Sequence, residues 1–145
     1  MTMLDDMLFR NSINPIGFGD SMTPEINKSF ILESNGKWAA TIQLSEYPEL
    51  ENFDWMLISS LIVDTDNRRK GLGTRLMKKA MDEATAQGKG AYLMVYMSNE
   101  PALNLYQKLG FRIIRDYYYK DDPNGLYVMA YGDGDTDQLM RINFS

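Results

Sequence analysis

Four of the fifteen basic residues of this chain fall within eight positions, around a pair of glycines. The segment reads Arg68-Arg69-Lys70-Gly71-Leu72-Gly73-Thr74-Arg75. Glycines allow a ligand to approach the backbone, and a helix that begins here would point its unpaired N–H groups and positive dipole end at an anion. Basic side chains would add charge-assisted hydrogen bonds, each worth about 1.5 to 3 kcal/mol. The segment therefore predicts a diphosphate-binding site.

Two common nucleotide-binding motifs fit this segment poorly. A dinucleotide fingerprint needs a third glycine at the position that Leu76 occupies. A P-loop needs Gly-Lys followed by Ser or Thr, whereas Lys70 precedes Gly71 here. An NAD-linked oxidoreductase is therefore disfavoured.

The chain contains no cysteine and no histidine. Disulfides, Cys/His zinc sites and thiol or Ser-His nucleophiles are excluded, so an acid or base must be Asp, Glu, Tyr, Lys, the N-terminal amine or water. Asp133, Asp135 and Asp137 imitate the start of a calcium loop, but Gln138 replaces its glycine and Phe144 its final glutamate. No metal site is predicted.

Length and composition are those of one globular domain. The 145 residues, 44% hydrophobic and 24% charged, match the commonest domain size and an ordinary composition. No apolar run is long enough to span a bilayer, and Asp5 and Asp6 stand where a secretory signal would be positively charged. A net charge of −5 would repel a phosphate backbone. We expect a single cytoplasmic domain over residues 1–145, with no membrane or nucleic-acid partner.

The hydrophobic pattern places the basic segment between a buried strand and a helix. Residues Trp55 to Val63 are largely apolar, which is typical of a strand buried on both faces. A helix is predicted from about Gly71 to Gln87, and Gly88 and Gly90 end it. Its apolar residues at helical spacing are Leu72, Leu76, Met77, Ala80 and Ala84.

Further strands flank this unit. Residues 30–34 and 37–45 predict a hairpin, because Asn35-Gly36 is a turn pair that readily adopts positive φ. Residues 91–97 predict another strand, and a helix is expected between Pro101 and Gly110.

The sequence pattern predicts structure more clearly near the C-terminus than near the N-terminus. Residues 111–119 and 126–131 predict a second hairpin. Residues 1–28 have weak periodicity and several glycines and prolines, so at most short helical pieces are expected there. The predicted order of strands and helices gives a mixed α/β sheet, antiparallel at both ends, with βαβ crossovers between.

The basic segment also resembles the acetyl-CoA signature of the GNAT superfamily of N-acetyltransferases. Arg68, Gly71 and Gly73 match its pattern Arg/Gln-x-x-Gly-x-Gly/Ala. A second segment is similar to the family's S-N-x-x-A-x-x-L-Y-x-x-L-G-F run at the usual distance. It reads Ser98-Asn99-Glu100-Pro101-Ala102-Leu103-Asn104-Leu105-Tyr106-Gln107-Lys108-Leu109-Gly110-Phe111. The resemblance spans about residues 30–131 and implies a GNAT-like mixed central sheet flanked by helices, of class α/β (α+β).

The resemblance implies roles for individual residues. The backbone N–H near Leu61 would hold the oxyanion of a tetrahedral intermediate, and Tyr106 would protonate the leaving thiolate as general acid. A tyrosine on the apolar face of a helix is otherwise more often a simple core residue. The residues implied to bind acetyl-CoA are Leu61, Ile62, Val63, Arg68, Arg69, Lys70, Gly71, Leu72, Gly73, Thr74, Asn99 and Tyr106.

The general base is harder to assign. Related enzymes often have a glutamate at positions that match Leu57 and Met94, and neither of these residues accepts a proton. Substitutes acting directly or through water are Asp54, Glu46, Glu49 and Tyr96, among which Asp54 is our candidate base. The acidic loop from Glu46 to Asp54 either draws a cationic amine toward the thioester or is simply a solvated loop.

We therefore expect an acetyl-CoA-dependent N-acetyltransferase that acts by direct attack of an amine on the thioester, without a metal. The acceptor would be the primary amine of a small molecule or of a protein N-terminus. A CoA-binding regulatory or interaction domain without activity is the alternative. The missing glutamates favour that alternative, whereas Tyr106 and Asn99 favour the enzyme. The expected partners are acetyl-CoA and the acceptor, and a homodimer stays open.

Overall fold

A single mixed β-sheet organises the chain. The computed structural model describes residues 7–12, 25–68 and 71–142. The strands are β1 (Met7–Ser12), β2 (Glu25–Ser34), β3 (Lys37–Glu46), β4 (Trp55–Val63), β5 (Gly90–Tyr96), β6 (Arg112–Tyr117) and β7 (Leu126–Tyr131). The helices are α1 (Leu72–Ala86), α2 (Glu100–Lys108) and α3 (Thr136–Arg141), with a 3-10 turn at Thr65–Asn67. Across these described ranges, no helix is long and apolar enough to span a bilayer.

The sheet has the order β1-β2-β3-β4-β5-β7-β6. The β4–β5 pair is parallel and the other neighbouring pairs are antiparallel. Helix α1 makes the crossover that a parallel pair requires. The predicted mixed sheet, antiparallel at both ends, is therefore confirmed.

The predicted hairpin around Asn35-Gly36 joins β2 to β3. Both turn residues have positive φ, 53° and 78°, which matches the twist of the flanking strands. Strand β2 is longer than predicted, because it begins at Glu25 and pairs with β3 as far as Glu46.

The prediction of at most helical pieces in residues 1–28 was wrong where the structure describes them. Met7–Ser12 forms a strand that pairs with β2, from Met7 opposite Ser34 to Ser12 opposite Ser29. Pairing with a distant strand supplies hydrogen bonds that local periodicity does not reveal. Residues 25–28 begin β2, and residues 1–6 and 13–24 lie outside the described residues.

Helices α1 and α2 cover one face of the sheet, here called the α1 face. Helix α1 packs against β2, β3, β4 and β5, and α2 adds partly buried apolar side chains. The residues predicted to form its apolar side are all buried, together with Met81. They join apolar side chains of the sheet in one core.

The opposite face, here called the α3 face, carries a second core. Trp55 and Tyr92 of the sheet and Leu139 of α3 are fully buried there. Tyr47 and Phe53, from the loop after β3, pack with them. Helix α3 was not predicted; Asp135 caps it by accepting a hydrogen bond from the Asp137 N–H at 2.9 Å.

Candidate active site

Strands β4 and β5 pair only over their first three residues and then separate. The paired positions end at Leu57 opposite Tyr92. Beyond this point, the residues from Ile58 to Val63 have no partner on β5, although β3 still pairs with Ile58, Ser59, Ile62 and Val63 on the other side. Backbone N–H and C=O groups that face the gap are available to a ligand. We call this gap the β4–β5 cleft.

A bulge in β4 lies beside the cleft. Gln43 pairs with Ser59 and Thr41 pairs with Ile62, so β4 has one more residue than β3 in this interval. Ser60 lies within it with a φ of 56°, a left-handed conformation that is uncommon for serine. The extra residue reverses the alternation of side chains. Met56 and Ile58 join the α1-face core before the bulge, and Leu61 and Val63 join it afterwards.

The predicted phosphate turn follows β4 directly. Arg68 is described, and its Nε donates to the Val63 carbonyl at 3.5 Å, whereas Arg69 and Lys70 lie outside the described residues. Gly71 has a φ of 75° and precedes the first residue of α1. In the described part of the chain, the first turn of α1 receives no side-chain cap and contains no acidic residue. Its N–H groups, which have no partner within the helix, are therefore suited to an anion.

Gly71 and Gly73 serve different purposes. Gly71 adopts a positive φ that side-chain-bearing residues rarely take. Gly73 has no such constraint, and a Cβ there would lie 3.7 Å from Leu61 Cδ2, an ordinary contact distance. The same closeness shows that the start of α1 lies against the part of β4 that lines the cleft.

The second family-like segment forms α2. Asn99 is its N-cap, and its Oδ1 accepts a hydrogen bond from the Ala102 N–H at 3.3 Å. Tyr106 is partly buried against the α1-face core, with its ring centroid 6.1 Å from that of Phe111. Burial raises the pKa of the Tyr106 hydroxyl above its usual value of 10. Tyr106 therefore holds its proton at neutral pH, as a general acid must.

The structure does not bring Asp54 to the cleft. Asp54 precedes β4, and Leu61 lies seven residues further along, roughly 23 Å in an extended strand. Its carboxylate accepts a hydrogen bond from the Asp135 N–H at 2.8 Å, and its N–H donates to Gln138 Oε1 at 2.8 Å. Asp54 thus fixes the segment that leads into α3.

The other candidate bases lie at opposite ends of strands β4 and β5. Glu46 ends β3 next to the start of β4, and Glu49 follows in the loop, so both lie at the Asp54 end. Tyr96 ends β5 and is 44% exposed. It lies beyond the last β4–β5 pair, on the part of β5 that borders the cleft, so Tyr96 is the candidate base beside the cleft.

Tyrosines line the α3 face near the cleft. The Tyr92 hydroxyl donates to the Tyr47 hydroxyl at 2.8 Å, and burial raises the pKa of both groups. The Tyr119 hydroxyl lies 4.0 Å from the Met94 sulfur, and the rings of Tyr117 and Tyr119 meet edge to face, 5.3 Å apart. Sequence analysis missed the Tyr47–Tyr92 pair, because the residues lie 45 positions apart.

The comparisons with known proteins agree with this geometry. The model of the acetyltransferase (GNAT) family matches residues 9–111. An N-alpha-acetyltransferase of Sulfurisphaera tokodaii is 42% identical over 79 residues, 50% of this chain and 46% of that protein. The spermidine N(1)-acetyltransferase of Escherichia coli K12 is 30% identical over 105 residues, 71% of this chain and 55% of that protein. The chain thus spans about half the length of these relatives.

A solved structure shows the same fold. Arabidopsis thaliana Naa50, in complex with the bisubstrate analogue CoA-Ac-MVNAL, superposes with a TM-score of 0.62 at 24% identity, over 72% of each chain. The chain belongs to the GNAT acetyltransferase family.

Proposed function

We propose that this protein transfers the acetyl group of acetyl-CoA to a primary amine. The observation that carries the proposal is the position of the β4–β5 cleft directly beside the uncapped start of α1. A thioester in the cleft would lie next to unpaired backbone groups of β4. A diphosphate at the helix start would lie next to unpaired N–H groups.

The start of α1 would hold the diphosphate. The N–H groups after Gly71 supply donors and the positive end of the helix dipole. Arg68 adds a positive charge at the same turn, and Arg69 and Lys70 follow it in the sequence. An acidic protein would otherwise repel a ligand as anionic as CoA.

The reaction would proceed without a covalent enzyme intermediate. The lone pair of the acceptor amine attacks the thioester carbon, and the Leu61 N–H stabilises the resulting oxyanion. The C–S bond then breaks, and Tyr106 donates its proton to the departing thiolate. The proton of the attacking amine leaves through water or Tyr96, and Tyr106 regains a proton from solvent. Holding the amine and thioester together supplies much of the rate.

The acceptor is proposed to be an α-amine. The side chains at the base positions, Leu57 and Met94, carry no carboxylate. Tyr92 pairs with Leu57 but is buried and donates its hydroxyl to Tyr47, so Tyr96 is the exposed titratable residue of β5. An α-amine has a pKa near 8, so a substantial fraction is unprotonated at neutral pH, whereas a lysine amine has a pKa near 10.4. An active site without a strong base therefore favours a peptide N-terminus.

A thiol-release assay tests the proposal. Free CoA is measured with a thiol dye while acetyl-CoA is offered with peptides bearing a free N-terminus, N-terminally blocked lysine peptides and spermidine. The protein has no cysteine and gives no background. We expect CoA release with free N-termini, and release with spermidine alone would contradict the α-amine assignment.

Thermal unfolding with acetyl-CoA or NAD, combined with the CoA-release assay, separates the enzyme from a regulatory CoA-binding domain. Acetyl-CoA at 100 times its Kd stabilises a binding protein by about 2.7 kcal/mol. Stabilisation by acetyl-CoA and not by NAD, together with CoA release, supports the enzyme. Stabilisation without release for any amine supports the regulatory domain.

A further inference from the structure

A row of uncharged side chains crosses the α3 face beside the cleft. Ile31 pairs with Thr41, and Thr41 pairs with Ile62, so these residues lie side by side on β2, β3 and β4. Neighbouring strands are about 4.8 Å apart, so the row is about 10 Å long. Ile62 is 52% exposed although it is a large apolar residue.

The bulge at Ser60 explains why Ile62 faces the α3 side. Leu61 and Val63 pack into the core on the α1 face, so Ile62 between them points to the other face. Ile62 directly follows Leu61, the proposed oxyanion donor. An amine that attacks a thioester in the cleft from the α3 side would carry its nearest substituent over Ile62.

The next row away from the β2–β3 turn is polar but uncharged. The adjacent cross-strand row consists of Ser29, Gln43 and Ser59. Toward the β2–β3 turn, charged residues follow: Glu33 lies two residues from Ile31, and Asp64 lies two residues from Ile62. The next exposed apolar side chain toward the β2–β3 turn is Trp38, which is 50% exposed and pairs with Glu33.

We propose that Ile31, Thr41 and Ile62 form the subsite for the first side chain of the acceptor, with Ile62 as its main contact. This subsite selects an apolar first residue over a small one. The inference deepens the proposed acetyltransferase function and rests on it. An apolar side chain gains by covering Ile62, whereas a glycine leaves it exposed.

Substitution of Ile62 tests the subsite. Two peptides that differ only in the first residue, Leu or Gly, are assayed with the unmodified protein and with Ile62→Ala. We expect Ile62→Ala to lower the ratio of kcat/KM for the Leu peptide to kcat/KM for the Gly peptide about tenfold, mainly through KM; any effect on acetyl-CoA is common to both peptides and cancels in the ratio. Ile62→Val removes one methylene and should give a smaller loss in the same direction.

Ile113→Ala is the matched control. Ile113 lies on β6 and is 43% exposed, but β7 and β5 separate it from β4. This variant removes the same atoms from a similarly exposed isoleucine and should leave the Leu/Gly preference unchanged. Circular dichroism and the thermal shift with acetyl-CoA establish that each variant is folded and binds the donor.

The outcomes separate the subsite from the function. If the unmodified protein acetylates no amine, the proposed function fails and the subsite with it. If acetylation occurs and Ile62→Ala changes kcat/KM by the same factor for both peptides, or for neither, the subsite is refuted while the function stands. If Ile62→Ala does not fold, the same comparison with Ile62→Val decides.

Discussion

Replacing Gly73 with alanine should separate the stability of the protein from its affinity for acetyl-CoA. Gly73 is the second residue of α1, and among the described residues a Cβ there would contact only Leu61 Cδ2, at 3.7 Å. The unliganded fold therefore accommodates Gly73→Ala. Alanine is a better helix former than glycine by up to about 1 kcal/mol, so the variant should be as stable as the unmodified protein or slightly more stable.

The effect on ligand binding should have the opposite sign. If the diphosphate lies against the N–H groups of the first turn, the new methyl group occupies part of its space. Losing one charge-assisted hydrogen bond costs about 1.5 to 3 kcal/mol. This corresponds to a Kd for acetyl-CoA roughly 10 to 150 times higher.

Calorimetric titration and thermal unfolding measure the two quantities. Gly88→Ala is the control, because Gly88 follows α1 at its other end with a φ of 74°, and no atom of the described residues lies within 4 Å of the position of a new Cβ. A left-handed alanine costs about 1 kcal/mol, so this variant should lose stability and keep its Kd. An unchanged Kd for Gly73→Ala would refute the diphosphate site at this turn, and a large loss of stability would refute the packing argument.

Three further predictions concern packing, catalysis and pH. Gly90→Ala should destabilise the fold by about 3 kcal/mol, because its Cβ would lie 2.5 Å from the Trp55 ring and 2.8 Å from the Tyr131 carbonyl oxygen; an unchanged Tm would contradict this. Tyr106→Phe should lower kcat at least 100-fold and change the Kd of acetyl-CoA far less; an unaltered kcat would remove Tyr106 as the acid. Burial raises the pKa of Tyr92 in the folded state, so its contribution to stability is complete below about pH 10 and is lost as the pH rises through the folded pKa. Urea unfolding between pH 8 and pH 11 should therefore show falling stability, more steeply than in Tyr92→Phe; equal slopes would contradict the assignment.

The elements that hold the site were predictable because their signals are local. The apolar run of β4, the helical spacing in α1 and the glycines of the turn lie within 33 consecutive residues. The Asn35-Gly36 turn likewise encodes its own conformation. These features depend on neighbours along the chain, which a sequence pattern records directly.

Features that depend on distant residues were not predictable. Strand β1 forms by pairing with β2. Helix α3 is held by the hydrogen bonds that Asp54, in the loop before β4, makes with Asp135 and Gln138. The Ser60 bulge has no local signal beyond two serines in an apolar run. Asp54 was selected for its chemistry, but strand direction places it at the far end of β4.

The central claim is that the start of α1 and the free edge of β4 together bind one acetyl-CoA molecule. The most direct measurement is a titration of ¹⁵N-labelled protein with acetyl-CoA, followed by the backbone amide resonances. We predict the largest shifts at residues 71–74 and 61–63. Saturating shifts that spare both segments, or the absence of any shift at millimolar acetyl-CoA, would contradict the account.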